Sequence, residues 1–186
     1  LLSKLNELEL EQNTLVLFCS DNGAARRWEG RFDSSGPLKG RKRDMYEGGI
    51  RTPMIAWMPG SIPENTISHT PLYFPDVMPT LANVAGAEVP KNIDGISIWA
   101  DMQAKDFVIP ERYMYWEFYE GGFYQAIRWK DWKGIREGIE GPLELYDLSN
   151  DPGETRNISQ DNANIVAQLE TFLKEARTES PYWSAR

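Results

Sequence analysis

The chain has 186 residues and a formal net charge of −8, and apolar residues make up 41% of it. This apolar fraction supports a folded core and excludes an intrinsically disordered chain, while the negative charge argues against a nucleic-acid partner. No apolar run reaches the roughly 18 residues of a membrane span, and the single cysteine, Cys19, excludes an internal disulfide framework. No signal peptide is visible, but the chain begins at Leu1 rather than Met, so we interpret it as a segment of a longer protein.

The first half of the chain has the alternation of helix and strand that is typical of α/β folds. Leucines recur at helical spacing over residues 1–8 and predict the end of an amphipathic helix. Residues 14–19 and 53–58 are apolar, β-favouring runs, and we expect buried strands there, the first covered on both faces as in a parallel sheet. Residues 76–85 predict a helix that ends at Gly86.

Beyond about residue 105 the pattern changes to short, aromatic-rich strands. Residues 112–118 and 123–129 flank a Glu-Gly-Gly turn and predict a β-hairpin, and residues 131–136 and 143–148 add two more strands. These runs predict a four-stranded antiparallel sheet. A final helix with one apolar face is expected to cover it, and that face consists of Ile165, Leu169, Phe172, Leu173 and Ala176.

A basic segment interrupts the otherwise acidic chain. Between Arg26 and Arg51 there are eight basic and four acidic residues, so this segment carries +4 and the remainder −12. A local anion site and a solvated basic loop both explain this charge distribution.

The tetrapeptide Ser20-Asp21-Asn22-Gly23 follows the first predicted strand. Ligands of α/β sheets collect at the carboxyl ends of strands, and carboxylate and amide oxygens suit Ca²⁺ or Mg²⁺. Gly23 permits the sharp bend that would bring two adjacent side chains to one ion. The same residues are also ordinary turn formers, so a plain turn remains the alternative.

Several motifs occur together in one order. Ser-Asp-Asn-Gly at residues 20–23 precedes Lys-x-x-x-Tyr-Glu-Gly-Gly-x-Arg-x-Pro at 42–53 and Asp-x-x-Pro-Thr at 76–80. Ala-Ile-Arg-Trp-Lys-Asp-Trp-Lys at 126–133 and Glu-Leu-Tyr-Asp-Leu with Asp-Pro-Gly-Glu at 144–154 follow. Together these motifs resemble type I sulfatases, including arylsulfatases, of the alkaline phosphatase superfamily.

The resemblance implies the C-terminal portion of such an enzyme. On this basis residues 1–105 are expected to be the C-terminal part of the α/β catalytic domain. Residues 106–186 are expected to form a small antiparallel β subdomain closed by a helix.

The resemblance also implies roles for individual residues. Asp21 and Asn22 match a pair of calcium ligands, and Lys42 matches the catalytic lysine that contacts the sulfate oxygens. Lys39 is the competing lysine, and the spacing of the motif favours Lys42. Glu47 and the two glycines after it are expected to shape the turn.

Further residues are weighed between a site and a structural role. Lys39, Arg26, Trp116 and Glu117 are possible substrate contacts, although tryptophans at alternating strand positions are more typical of a core. Arg51 either pairs with Glu47 or lies near the site, with pairing preferred. His69 is expected at the surface or in packing, and Cys19 is expected to be inert at the end of its strand.

The family's formylglycine motif, Cys/Ser-x-Pro/Ala-x-Arg, is absent from this chain. The resemblance implies a sulfatase, a metal-binding, calcium-dependent hydrolase of sulfate esters. Because the motif is absent, this segment is expected to be inactive alone, with the nucleophile in the missing part. Its substrate would be a sulfated small molecule or sulfated carbohydrate, and its compartment periplasmic, secreted or lysosomal. The alternatives are a phosphodiesterase or phosphatase of the same superfamily, against which Asn22 argues, and a carbohydrate-binding module built on the aromatic hairpin.

Overall fold

The computed structural model describes residues 1–28, 30–183 and 185, so Glu29, one of the acids in the basic segment, lies outside the described residues. The chain divides into two compact units: Leu1–Cys19 with Met54–Pro110, and Ser20–Pro53 with the chain from Glu111 onward. The domain boundary at residue 105 stays a prediction. Among the described residues, none of the helices has the length and apolar character needed to cross a membrane.

The predicted helices and strands occur in the predicted order, but two short helices were not predicted: Trp99–Met102, and Glu47–Ile50 where a turn was expected. The α-helices of the described residues are Leu2–Glu7 (α1), Glu47–Ile50 (α2), Val77–Val84 (α3), Trp99–Met102 (α4) and Ala163–Ala176 (α5). The strands are Val16–Cys19 (β1), Met54–Trp57 (β2), Tyr113–Phe118 (β3), Tyr124–Trp129 (β4), Trp132–Glu137 (β5) and Glu144–Asp147 (β6).

In the first unit, β1 and β2 pair with each other, antiparallel, from Val16 opposite Trp57 to Cys19 opposite Met54. The prediction that β1 is buried on both faces was wrong: Phe18 is 71% exposed, Ile55 is 62% exposed, and Cys19 is also exposed. Among the described residues these two strands pair only with each other, so no further strand extends the sheet. The apolar composition of the run therefore did not translate into burial here.

The Asp-x-x-Pro-Thr motif of the first unit has a structural role. Asp76 is fully buried, and its carboxylate accepts hydrogen bonds from the backbone N–H groups of Tyr73 at 3.1 Å and Ile96 at 2.9 Å. The Thr80 hydroxyl accepts a hydrogen bond from the N–H of Ile98 at 3.0 Å. The motif therefore holds the start of α3 to the segment that follows the helix.

In the second unit, the strands form the predicted four-stranded antiparallel sheet, in the order β3-β4-β5-β6. Each strand alternates between two faces of the sheet. One face packs under α5 through a core cluster of Ile127, Leu143, Leu145, Leu169 and Leu173, which confirms the predicted covering helix. The other face packs against the 45–50 segment through Met45, Ala126, Ile135 and Tyr146.

This second packing places α2 and its flanking loops directly on the sheet. The residues predicted to bind a cation and sulfate lie in the Ser20–Pro53 segment, which belongs to this unit. The overall fold is thus mixed α/β, with a four-stranded antiparallel sheet and a C-terminal helix.

Candidate functional site

The side chains of Asp21 and Asn22 converge. The Asn22 amide Nδ2 donates a hydrogen bond to Asp21 Oδ2 at 2.5 Å, and Ser20 Oγ donates to the Asn22 carbonyl at 2.8 Å. An amide carries its oxygen opposite its NH₂ group, so rotating the Asn22 amide by half a turn would present Oδ1 beside the carboxylate. The pair can therefore offer two oxygens to one cation.

The turn is held by a close backbone contact with α2. The Gly23 N–H donates a hydrogen bond to the Gly49 carbonyl at 2.8 Å. A Cβ atom on Gly23 would lie 1.9 Å from the carbonyl oxygen of Gly48, so only glycine fits at this position. This approach explains the glycine requirement better than a bend alone.

The segment that carries Lys42 is tied to the same turn. The Lys42 N–H donates to the Ala24 carbonyl at 2.9 Å, and the Gly48 N–H donates to the Lys39 carbonyl at 2.7 Å. Asp44 closes the loop by accepting the Arg41 N–H on its carboxylate at 2.9 Å. The backbone at Lys42 is therefore fixed next to Ala24, which follows the Asp21–Asn22 turn.

The two candidate lysines differ in their partners. Lys42 is exposed, and among the described residues its ammonium makes no hydrogen bond or ion pair. Lys39 instead lies 3.8 Å from the ring centroid of Tyr46, and its Nζ is 3.3 Å from the Tyr146 hydroxyl. Lys39 is thus engaged by aromatic partners, whereas the Lys42 ammonium is available to an anion.

Glu144 completes the environment of Lys39. Its Oε2 accepts hydrogen bonds from the hydroxyls of Tyr46 at 2.8 Å and Tyr146 at 2.7 Å. Burial and the neighbouring Glu144 carboxylate raise the pKa of Tyr46 to about 12, and the same causes raise the pKa of Tyr146. Both phenols therefore stay neutral far into the alkaline range.

An alkaline titration tests this arrangement. We expect Tyr46 to ionise near pH 12, so its contribution to stability is complete below the ordinary pKa of 10 and is lost as pH rises through about 12. Glu144→Gln should lower this pKa, because the nearby negative charge is removed. Absorbance of phenolate against pH gives the measurement, with the exposed Glu140→Gln as control. An unchanged titration curve in Glu144→Gln would contradict the assignment.

Arg26 lies on an exposed 3₁₀ turn that borders a cavity of about 520 Å³. Lys39, Arg41, Trp28 and Phe32 also line this cavity. The cavity therefore combines cationic and aromatic side chains, and Asp33 and Asp44 also line it.

Trp116 and Glu117 do not share a surface, because successive side chains of β3 point to opposite faces of the sheet. Trp116 packs with the cluster against the 45–50 segment. Glu117 accepts a hydrogen bond from the Tyr119 hydroxyl at 2.6 Å and lies 3.2 Å from Arg177 Nε. Their roles as substrate contacts stay predictions. His69 is exposed in the other unit, as expected for a surface residue.

One group of charged residues was not predicted from the sequence. Lys133 and Glu154 are fully buried, Glu47 is 2% exposed, and the Lys133 ammonium lies between the two carboxylates. Burial raises the pKa of Glu154, and Lys133 offsets part of that rise. Arg51 lies 3.6 Å from Glu47, which agrees with the preferred pairing of these two residues. No local pattern marks Lys133 or Glu154 as buried, although both fall within motifs of the family resemblance.

The fit to a calcium ion is partial. Calcium takes about six to eight oxygen ligands, and Asp21 with Asn22 can supply two of the hard oxygens it prefers. Within the described residues there is no group of three or more His, Cys, Asp or Glu side chains arranged to hold a metal. The residues present therefore fit part of a calcium site.

Comparison with known proteins gives the same assignment as the motifs. Residues 40–179 match the family described as N-sulphoglucosamine sulphohydrolase, C-terminal. The N-acetylgalactosamine-6-sulfatase of Canis lupus familiaris is 34% identical over 154 residues, covering 75% of this chain and 29% of that protein. The chain therefore spans less than a third of the length of this curated relative.

Solved structures share the fold. Ps i-CgsB in complex with k-i-k-neocarrahexaose aligns with a TM-score of 0.79 at 28% identity, covering 100% of this chain and 41% of that one. A protein in complex with its substrate D-glucosamine-2-N,6-O-disulfate aligns with a TM-score of 0.72 at 27% identity, covering 94% of this chain and 36% of the other. The chain therefore belongs to the sulfatase family and corresponds to a C-terminal portion of its members.

Proposed function

We propose that the parent protein hydrolyses a sulfate ester of a carbohydrate and that this chain supplies part of its cation and sulfate site. The convergence of the Asp21 and Asn22 side chains, beside the backbone of Lys42, is the observation that carries the proposal. The substrate class is supported by the relatives, one an N-acetylgalactosamine-6-sulfatase and one solved with a sulfated glucosamine.

Asp21 and Asn22 would hold a calcium ion together with ligands from outside this chain. The Asp21 carboxylate would offset part of the ion's charge, and the Asn22 carbonyl would add a neutral hard oxygen. Asparagine rather than histidine at this position keeps the site selective for a hard cation over a transition metal. When bound, calcium would supply Lewis-acid polarisation of the sulfate oxygens.

Lys42 would neutralise negative charge on the sulfuryl group during transfer, acting as a point cation. Its exposed ammonium is suited to this role, because no protein carboxylate among the described residues competes for it. The segment from Arg26 to Arg51, with a net charge of +4, would attract an anionic substrate to a protein that is otherwise acidic. The nucleophile, expected to be a formylglycine, would come from the part of the parent outside this chain.

The packing of the aromatic hairpin favours this proposal over a carbohydrate-binding module. Tyr113, Tyr115 and Trp129 pack against the cluster under α5, and Trp116 and Phe118 pack against the cluster on the other face. These rings are partly buried against the two clusters and so offer less surface for stacking on sugars.

We expect the purified parent to hydrolyse sulfated monosaccharides such as N-acetylgalactosamine 6-sulfate in a calcium-dependent manner, and this chain alone to show no turnover. Asp21→Ala should raise the calcium concentration for half-maximal activity by at least about tenfold, as outer-shell partners of metals already reach that effect. Asp106→Ala, at an exposed aspartate of the other unit, serves as the matched control.

Release of phosphate from matched phosphate esters, measured beside release of sulfate, separates the sulfatase proposal from the phosphatase alternative. A parent that prefers the phosphate ester, or an isolated chain that hydrolyses aryl sulfates, would contradict the proposal.

A further inference from the structure

A buried ionic cluster links the sheet to α2. The Lys133 ammonium on β5 donates a hydrogen bond to Glu47 Oε1 at 2.8 Å and pairs with Glu154 Oε1 at 3.0 Å. Glu154 Oε2 in turn accepts the backbone N–H of Glu47 at 2.6 Å. On the other side of Glu47, Oε2 lies 3.6 Å from Arg51 and 3.9 Å from Arg128. We call Glu47, Lys133 and Glu154 the buried cluster.

The buried cluster is energetically unfavourable as a means of stabilising the fold, because its charges lose their hydration. Three charged groups are removed from water, and apolar residues of similar volume stabilise a core as well or better. The backbone of Glu154 also has a φ of +52°, a left-handed conformation that residues other than Asn, Asp and Gly rarely adopt. The cluster carries two energetic costs, the desolvation of its charges and the left-handed backbone of Glu154. A role in fixing the local geometry explains it better than a contribution to stability.

The geometry that the buried cluster fixes is the start of α2. Glu47 is the first residue of that helix. Lys133 binds its side chain, and Glu154 accepts its backbone N–H. In the next two residues, the Gly48 N–H donates a hydrogen bond to the Lys39 carbonyl, and the Gly49 carbonyl accepts one from the Gly23 N–H. The turn of Asp21 and Asn22 and the loop of Lys42 therefore rest on the helix that the cluster anchors.

We infer that Lys133 and Glu154 are positioning residues for the candidate cation and sulfate site. They act through Glu47 and α2, without touching the substrate, and set the position of the 20–24 turn and the 39–46 loop. The inference rests on the proposed function for its catalytic meaning, but the positioning itself is measurable without activity.

The experiment compares two variants of the cluster with a control on the same strand, in the full parent protein. Lys133→Met and Glu154→Gln each remove one charge of the cluster. Arg136→Met removes a buried cation of β5 from the opposite face, where it pairs with Glu170 at 3.1 Å. Glu154→Gln retains an oxygen that can accept the Glu47 N–H, so it serves as the milder variant if Lys133→Met fails to fold.

Amide hydrogen exchange and calcium titration are the two measurements. We expect exchange at Gly23, Lys42 and Gly48 to quicken in the cluster variants relative to amides of β4, and apparent calcium affinity to fall by about 10–100-fold. Lys133→Arg should restore part of the slow amide exchange and part of the calcium affinity. Arg136→Met should leave both quantities near those of the unmodified protein.

Local exchange in both cluster variants that matches the Arg136→Met control would overturn the inference. If exchange quickens as expected but the unmodified parent has no sulfatase activity, the proposed function fails while the positioning role stands. The two failures are thereby distinguished.

Discussion

Lys42→Ala in the parent protein is expected to lower kcat for sulfate ester hydrolysis by about 10²–10³-fold, the cost of removing one group that stabilises transition-state charge. Lys39→Ala is expected to lower kcat by far less. The difference follows from their partners, because Lys39 is held by Tyr46 and Tyr146 while Lys42 is exposed.

Stability measurements should rank the two lysines in the opposite order. Loss of the cation–π contact between Lys39 and Tyr46 is expected to cost about 0.5–1 kcal/mol, the usual value at exposed sites. Lys42→Ala should leave the free energy of unfolding nearly unchanged, since no partner of its ammonium is lost. Steady-state kinetics and urea unfolding of both variants provide the check. If Lys39→Ala abolishes turnover and Lys42→Ala does not, the motif alignment is wrong.

Lys133→Met is expected to destabilise the protein by about 3–5 kcal/mol, because it leaves two buried carboxylates without their shared cation. Glu47 and Glu154 would then face each other in a poorly solvated space. Adding Glu154→Gln to Lys133→Met removes one of the two charges and should recover part of the loss. The recovery, measured as a coupling free energy in a double-mutant cycle, reports on the pair directly.

Lys130→Met is the matched control, three positions away in the same hairpin. Lys130 pairs with Glu111 at 3.0 Å, but the two side chains are 57% and 68% exposed. Such a pair contributes about 0–1 kcal/mol, so its loss should be small. Equal destabilisation by Lys133→Met and Lys130→Met in urea unfolding would show that the buried cluster is not the source of the effect.

Much of the second unit could be predicted from local pattern. The hairpin around residues 120–122, the two strands after it and α5 all appear as predicted, within one or two residues at each end. Strand alternation and the apolar face of a helix depend on residues close together in the sequence, so local periodicity predicts them. The order of the motifs likewise indicates the family without reference to the fold.

The strand β1 shows the opposite case. Its apolar run predicted burial on both faces, and the strand itself forms, yet Phe18 is 71% exposed. Composition favours a strand whatever surrounds it, whereas burial depends on which elements lie above and below.

Local sequence patterns predicted the four-stranded sheet, the helix that covers it, the turn of Asp21 and Asn22, and the basic segment. Three contacts could be seen in the folded protein alone. Lys39 contacts two tyrosines, a Cβ on Gly23 would lie 1.9 Å from a backbone carbonyl oxygen, and Lys133 lies buried between two glutamates. Most of these contacts join residues that are far apart in the chain, so no local pattern indicates them. Lys133 and Glu47 are 86 positions apart. In the sequence each is predicted to be exposed, as charged residues usually are, because burial is costly without a partner and the partner is distant in the chain.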